Sequence, residues 1–336
     1  MLNREMLKTV LTTYGPSGHE KKISDVIKGY LEGYCDEIYN DTLGNLIAYK
    51  KGTSGKKVML SAHMDQIGLI VVDIDDKGFL RVSNVGGVNP TITLARDVVF
   101  ENGVQGVVHY ETEKKKAGEI VLNEIFVDIG ASTKEEAQEK VSIGDMAVYA
   151  PHYVDMGKRI ACGAMDNRVC CAQIIEIMRA LKSEHDVYAV FTVQEEVGLR
   201  GAGAAAYNIE PDLNINMDVT TCGDMPNASL MSVSLGEGAA IKVMDSSVIV
   251  PQSVRRFLID VANENGIKWQ NEVLRGGGTD TSAVQKSRGG VLACCISVPT
   301  RYIHSPVETI DAEDVENGIK LVLEALKKSE LPTNEL

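Results

Sequence analysis

Apolar segments that alternate with amphipathic helices constrain the fold of this chain more than any other feature of its sequence. Strand patterns such as VYAVFTV (187–193) and VLACCISV (291–298) are followed by helical patterns such as AEDVENGIKLVLEALKK (312–328). This alternation predicts an α/β fold in which helices flank both faces of a mixed sheet. Open α/β sheets bind ligands beyond their strand ends, so polar residues there are the first candidates for a functional site.

Residues 67–159 interrupt this alternation. They contain short strand patterns, such as GLIVVDI (68–74) and GFLRVSNV (78–85), that are separated by turn signals such as DDKG and ENG. The sequence therefore predicts a small inserted β-domain, with residues 1–66 and 160–336 forming a larger, discontinuous domain. Exposed strand edges would make this insert a surface for self-association.

Composition excludes several classes of protein. The 336 residues are 44% hydrophobic and carry a net charge of −13, and no run of Lys or Arg offsets that charge. Nucleic acids and anionic membranes are therefore not expected as partners. No stretch of about eighteen apolar residues occurs, so we expect a cytoplasmic protein. The seven cysteines lack C-x-x-C spacing and are expected to be reduced thiols of the core. Cys162, four residues before Asp166, is the one that a nearby metal could recruit.

Two imidazoles and three carboxylates stand close to the predicted strand ends. They are His63, Asp166, Glu196, Asp218 and His304. Nitrogen and oxygen donors of this kind suit zinc, cobalt or manganese, and one carboxylate can bridge two such ions. The pattern predicts a metal-dependent hydrolase. Taken singly, each residue has an ordinary structural alternative: Asp166 can cap the helix that it begins, Asp218 can be a turn residue, and His304 can be structural.

Asp65 follows His63 at a spacing that suits a supporting role. Side chains two positions apart on an extended chain point to the same side, so the Asp65 carboxylate can orient the His63 imidazole toward a metal. The alternative is a histidine at a strand end followed by a turn-forming aspartate.

The segment VYAVFTVQEEVGLRGA (187–202) ends an apolar strand on two adjacent glutamates. Two carboxylates in such a place are costly to hold together unless a cation or a proton neutralises them. We predict that Glu196 is a metal ligand and that Glu195 is the general base. A solvated pair of glutamates in a loop is the alternative. Further along, GGGTD (276–280) predicts either a loop that caps a helix or a backbone arc close to substrate.

Six segments, taken in order, resemble the tetrahedral (TET-type) aminopeptidases, which include glutamyl and deblocking aminopeptidases. The segments are AHMDQIGL, AMDNR, QEEVGLRGA, NMDVT, GGGTD and RYIHSPVE. The resemblance implies a zinc-exopeptidase-like catalytic domain that holds two divalent metal ions, with zinc first and cobalt or manganese as alternatives. It further implies that Asp166 bridges the two ions and is followed by a cis peptide bond. His63 and Asp218 would complete one site, and Glu196 and His304 the other.

The same resemblance implies that the β-domain drives dimerisation and that the dimers build a hollow homododecamer. The expected activity is removal of N-terminal residues from short peptides. Three alternatives stay open at this point: a related metal-dependent deacylase or carboxypeptidase, a glycosidase built on Glu195 and Glu196, as in relatives labelled endoglucanases, and a non-catalytic scaffold. The glycosidase is the weakest of the enzymes, because neighbouring side chains on an extended strand diverge.

Overall fold

A computed structural model of the chain describes residues 2–111, 117–228 and 230–334. These residues form a large mixed sheet with helices on both faces and a small closed β-barrel. The predicted fold class is therefore confirmed. In the described ranges no helix is long and apolar enough to cross a membrane.

The elements of the described chain have the following bounds. The strands are β1 (Glu37–Asn40), β2 (Leu46–Lys50), β3 (Lys57–His63), β4 (Gly68–Ile74), β5 (Leu80–Val85), β6 (Asp97–Phe100), β7 (Gln105–Tyr110), β8 (Ile125–Asp128), β9 (Met146–Tyr149), β10 (Val154–Met156), β11 (Arg159–Ala161), β12 (Asp186–Thr192), β13 (Leu213–Thr221), β14 (Ala239–Met244), β15 (Trp269–Val273), β16 (Leu292–Arg301) and β17 (Thr309–Asp311). The α-helices are α1 (Arg4–Thr12), α2 (Lys21–Leu31), α3 (Pro90–Thr93), α4 (Lys134–Gln138), α5 (Met165–Ala180), α6 (Arg200–Ile209), α7 (Gln252–Glu264), α8 (Asp280–Gln285) and α9 (Ala312–Ala325). Two short 3₁₀ helices cover Ala117–Glu119 and Leu122–Glu124.

The large sheet places several strand ends side by side. Its order is β1-β2-β12-β3-β13-β16-β17-β11-β10, with β14 and β15 branching from β16. The four strands β12, β3, β13 and β16 run parallel, and in their register Thr192 pairs with His63. The pair Asn216 and Ser61 places Asp218 level with His63 on the neighbouring strand. Residues that lie at this edge of the sheet can therefore converge on one site.

The two faces of the sheet are covered by different helices. Alternate residues of β3 point to opposite faces. Val58 and Leu60 belong to an apolar cluster that also contains residues of α1, α2, α5, α7 and α9, while Met59 belongs to a second cluster with residues of α6 and α8. The seven cysteines all lie in the described ranges and have free thiols. Cys162 is buried, and burial raises the pKa of its thiol to about 11, so it is a core residue in this structure.

The barrel closes in the order β4-β5-β8-β7-β6-β9 around its own apolar core. Because β9 pairs with both β4 and β6, these strands do not present the open edges that the sequence suggested. Self-association through the barrel would have to use its side-chain surface. Strand β10, which falls inside the predicted insert of residues 67–159, pairs with β11 of the large sheet instead. The barrel strands themselves run from Gly68 to Tyr149.

Candidate metal centre

Strands β3 and β12 bring the first candidate residues together. His63 is the last residue of β3, is 2% exposed, and lies with its Nε2 atom 3.8 Å from an oxygen of Glu195 and 3.8 Å from an oxygen of Asp218. Glu195 follows β12, as the sequence predicted. The segment LNINMDVT (213–220) predicts a strand that ends on Asp218, but β13 continues to Thr221, so this predicted strand end is wrong. Pairing with β16 up to Thr221 is the reason for the longer strand.

Asp166 lies at the start of α5 but does not cap it. The N-cap residue is Ala164, whose side chain makes no capping hydrogen bond, and Asp166 and Asn167 have non-helical backbone angles. The peptide bond between them is cis, as the resemblance implies. The two carboxylate oxygens of Asp166 instead point to two imidazoles: Oδ1 is 3.0 Å from Nε2 of His63, and Oδ2 is 3.5 Å from Nε2 of His304.

The structure brings all five predicted ligands and Glu195 into one site. Two groups each have donor atoms within 4.8 Å of one another, namely His63, Glu195 and Asp218, and His63, Asp166 and Glu196. His304, in the loop after β16, lies with Nε2 3.2 Å from an oxygen of Glu196. The adjacent glutamates therefore diverge: Glu195 faces His63, and Glu196 faces His304.

Asp65 supports more of the site than its spacing from His63 suggested. Its carboxylate accepts hydrogen bonds from the Ser17 hydroxyl at 2.6 Å and from the backbone N–H groups of Glu195 and Glu196 at 3.0 and 3.2 Å. The His63 Nδ1 atom is 3.2 Å from the Asp65 carbonyl oxygen and 3.5 Å from its carboxylate. Asp65 thus connects the end of β3 with the end of β12.

The electrostatics of the site favour a bound cation. Burial raises the pKa of Glu195 well above its usual value and raises the pKa of Asp218 to about 8, with the neighbouring carboxylates adding to the effect. Burial lowers the pKa of His304, but Glu196 and Asp166 outweigh it and raise that pKa to about 10. Oε1 of Glu196 is buried and has no hydrogen-bond partner among the described residues. Buried carboxylates that lack enough donors, beside two imidazoles, fit divalent metal ions.

A cleft of about 590 Å³ opens beside these residues. Its wall includes Gly276, Gly277, Gly278 and Thr279, so the GGGTD segment forms a backbone arc along the cleft. Thr279 precedes α8 without a side-chain capping bond. Asp280 is buried and accepts a hydrogen bond from Thr192 Oγ1 at 2.5 Å, which joins this arc to the end of β12.

Two contributors to the site were not predicted from the sequence. A Cβ atom on Gly87, in the loop after β5 of the barrel, would lie 2.5 Å from Nδ1 of His304, and one on Gly86 would lie 3.1 Å from Cβ of Glu196. The paired glycines in VGGVN (85–89) were the sequence feature that could have indicated this close approach. The second contributor is Glu308, whose carboxylate contacts the backbone of Asp166 and His304. Its position four residues after His304 was the sequence feature that could have indicated a role near that histidine.

Residues 44–321 match the M42 glutamyl aminopeptidase family. The chain belongs to this family. The resemblance drawn from the six segments is thus confirmed, and the class of enzyme is a peptide hydrolase of the aminopeptidase type.

Individual M42 relatives cover almost the whole chain. It is 40% identical to the lysyl aminopeptidase of Pyrococcus furiosus over 344 residues, a match that covers 97% of this chain and 98% of that protein. Its structure is similar to an aminopeptidase from the archaeon Desulfurococcus kamchatkensis, with a TM-score of 0.92 and 36% identity over 96% of this chain and 94% of that one. It is also similar to the TET1 peptidase of Pyrococcus horikoshii, with a TM-score of 0.87 and 34% identity over 97% and 99% of the two chains.

Proposed function

We propose that this M42 chain is a two-metal aminopeptidase that removes N-terminal residues from short peptides. One observation carries the proposal: the two oxygens of Asp166 face two different imidazoles, at 3.0 Å from His63 and 3.5 Å from His304. A carboxylate with one oxygen for each of two donor groups has the arrangement of a bridging ligand.

The remaining donors divide between two ions. His63 and Asp218 would complete one site, and Glu196 and His304 the other. Nitrogen and carboxylate donors are compatible with zinc, cobalt and manganese, with zinc as our first expectation. Asp65 would hold the backbone of the two glutamates in place and fix the orientation of His63.

Glu195 would act as the general base. Divalent ions bound by these residues supply Lewis acidity, which lowers the pKa of water and polarises the scissile carbonyl group. The Glu195 carboxylate, oriented by the hydrogen bond from its own backbone N–H to Asp65, accepts the proton of the attacking water. It then donates that proton to the leaving amine, which releases the shortened peptide.

The glycosidase alternative is disfavoured by the same geometry. It requires Glu195 and Glu196 to serve as a pair of carboxylates on either side of one glycosidic bond. Each of them instead lies within 3.8 Å of an imidazole that belongs to the donor cluster.

The choice between aminopeptidase, carboxypeptidase and deacylase rests on the terminus that is recognised. We expect cleavage of short peptides with a free N-terminus, complete loss of activity after treatment with a chelator, and recovery with zinc, cobalt or manganese. The same peptides with an acetylated N-terminus or an amidated C-terminus serve as matched substrates, and mass spectrometry identifies the residue released. Release of the C-terminal residue, or hydrolysis of the acetyl group, would contradict an aminopeptidase.

We also propose that the chain divides into a catalytic domain of residues 1–66 and 160–336 and a dimerisation domain of residues 67–159. The barrel of the second domain ends at Tyr149, and strand β10 after it joins the sheet of the first. The similar TET1 peptidase of Pyrococcus horikoshii can assemble into a tetrahedron or a large octahedral shell. Four exposed apolar side chains, on the barrel strands and on the segments that connect them, are candidates for a self-association surface. These are Val72, Val107, Val121 and Ile143, which are 49–62% exposed.

The assembly can be tested by light scattering coupled to size-exclusion chromatography. We expect a particle of twelve chains, each of 36.4 kDa. Replacing Val72, Val107, Val121 and Ile143 together by lysine should reduce the mass of this particle. A homododecamer built from dimers would enclose the active sites, so that short peptides are cleaved and folded proteins are not. A wild-type protein that stays monomeric, or a fourfold lysine variant that folds and remains a dodecamer, would contradict assembly through the insert.

A further inference from the structure

We infer that Glu308 is a positioning residue that holds the backbone of Asp166 and His304 in place, an inference that rests on the metal-ligand roles proposed above. Its Oε2 atom accepts a hydrogen bond from the Asp166 N–H at 3.0 Å. Its Oε1 atom accepts one from the His304 N–H at 2.7 Å. Glu308 is 2% exposed, so both bonds are shielded from water.

These two N–H groups need an acceptor from outside their own elements. The Asp166 N–H lies at the start of α5, where helical N–H groups have no partner within the helix. His304 has a φ of +63° in the loop between β16 and β17, so its N–H does not belong to a strand ladder. A carboxylate that gives one oxygen to each N–H fixes the distance between two segments that are far apart in the sequence.

Glu308 has a counterpart on the other side of the site. Asp65 accepts hydrogen bonds from the backbone of Glu195 and Glu196 in the same manner. Two buried carboxylates thus hold the main chain of four site residues. Residues that only orient metal ligands are expected to affect metal affinity, typically by about ten- to a hundredfold.

Asp314 offers a matched control. It is 1% exposed, and its two oxygens accept hydrogen bonds from the backbone N–H groups of Gly236 and Gly238, each at 2.7 Å. The chemistry is the same as that of Glu308, but neither glycine is a proposed ligand. Glu308→Gln and Asp314→Asn each replace one acceptor oxygen by an NH₂ group that faces a backbone N–H, and each should therefore lose one hydrogen bond.

The test measures metal binding rather than turnover. Metal-free wild-type, Glu308→Gln and Asp314→Asn proteins are titrated with Zn²⁺ by calorimetry, and with Co²⁺ while the visible absorption spectrum is recorded. We expect Glu308→Gln to weaken the binding of at least one ion by about ten- to a hundredfold and to change the cobalt spectrum. Asp314→Asn should keep the wild-type affinity and spectrum even if its melting temperature falls.

The inference is wrong if Glu308→Gln binds metal as the wild type does, or if both variants lose affinity equally. Glu308→Asp is the second variant in case the first does not fold. This variant keeps the charge, but its shorter side chain cannot reach the N–H groups of both Asp166 and His304. It should therefore also weaken metal binding, and wild-type affinity would contradict the inference. The two-metal proposal is tested separately, by the number of ions that the wild type binds. The role of Glu308 depends only on the ratio of variant to wild-type affinity, whether one ion or two are bound.

Discussion

Replacing Glu195 by Gln is expected to lower kcat by about two to four powers of ten, because an amide of the same size cannot accept a proton at neutral pH. Both ions of the proposed pair should stay bound, since Glu195 is not among the proposed ligands. The measurement is kcat with a peptide substrate, together with metal analysis of the dialysed protein.

The neighbouring residue provides the control for this substitution. Gln194 has a φ of +57°, a conformation that Asn tolerates, and Gln194→Asn should keep most of the activity. Retention of more than about a tenth of the wild-type kcat by Glu195→Gln would exclude the general-base role. Loss of a metal ion from this variant would instead indicate that Glu195 is a ligand. Its position beside His63 and Asp218 is compatible with that role.

Asp166→Asn is expected to weaken the binding of both ions together. The substitution removes the negative charge that lies between His63 and His304 and leaves a single acceptor oxygen. The loss of affinity should be at least about ten- to a hundredfold, since even residues that only support ligands have effects of that size. Activity should fall with metal occupancy, and elemental analysis after dialysis measures that occupancy.

Asp218→Asn is the matched variant for this second test. Asp218 is proposed to bind one ion, so its replacement should weaken one site and leave the other occupied. If Asp166→Asn still held two full equivalents of metal, or lost only one as Asp218→Asn is expected to do, Asp166 would not be the bridging ligand.

Local sequence pattern was sufficient for much of the fold and for the choice of candidate residues. Apolar runs located β12 and β16, which are buried on both faces, and helical periodicity located α9, which is buried on one face. The ends of the parallel strands then brought His63 and Glu195 together. Asp218 was chosen correctly as a member of the cluster even though its strand continues for three more residues.

Contacts between distant segments could not be predicted in this way. The spacing of Asp65 from His63 says nothing about Ser17 or about the backbone of Glu195, which reach the same carboxylate only after the chain has folded. Closure of the barrel depends on β9 pairing with both β4 and β6, and no local pattern specifies these partners. Glu308 was overlooked because its role depends on the Asp166 N–H, 142 residues away in the chain.

The close approach of Gly86 and Gly87 to Glu196 and His304 restricts how this protein can be engineered. The loop belongs to the barrel by connectivity, but it forms part of the wall around the candidate metal centre, with no room for a side chain at Gly87. Excision of the whole barrel would therefore uncover more of the His304 side chain, which is 33% exposed in the intact chain, as well as alter any assembly. A designer who wants a smaller or monomeric enzyme should keep the turn at residues 85–89 and modify only the outer surface of the barrel.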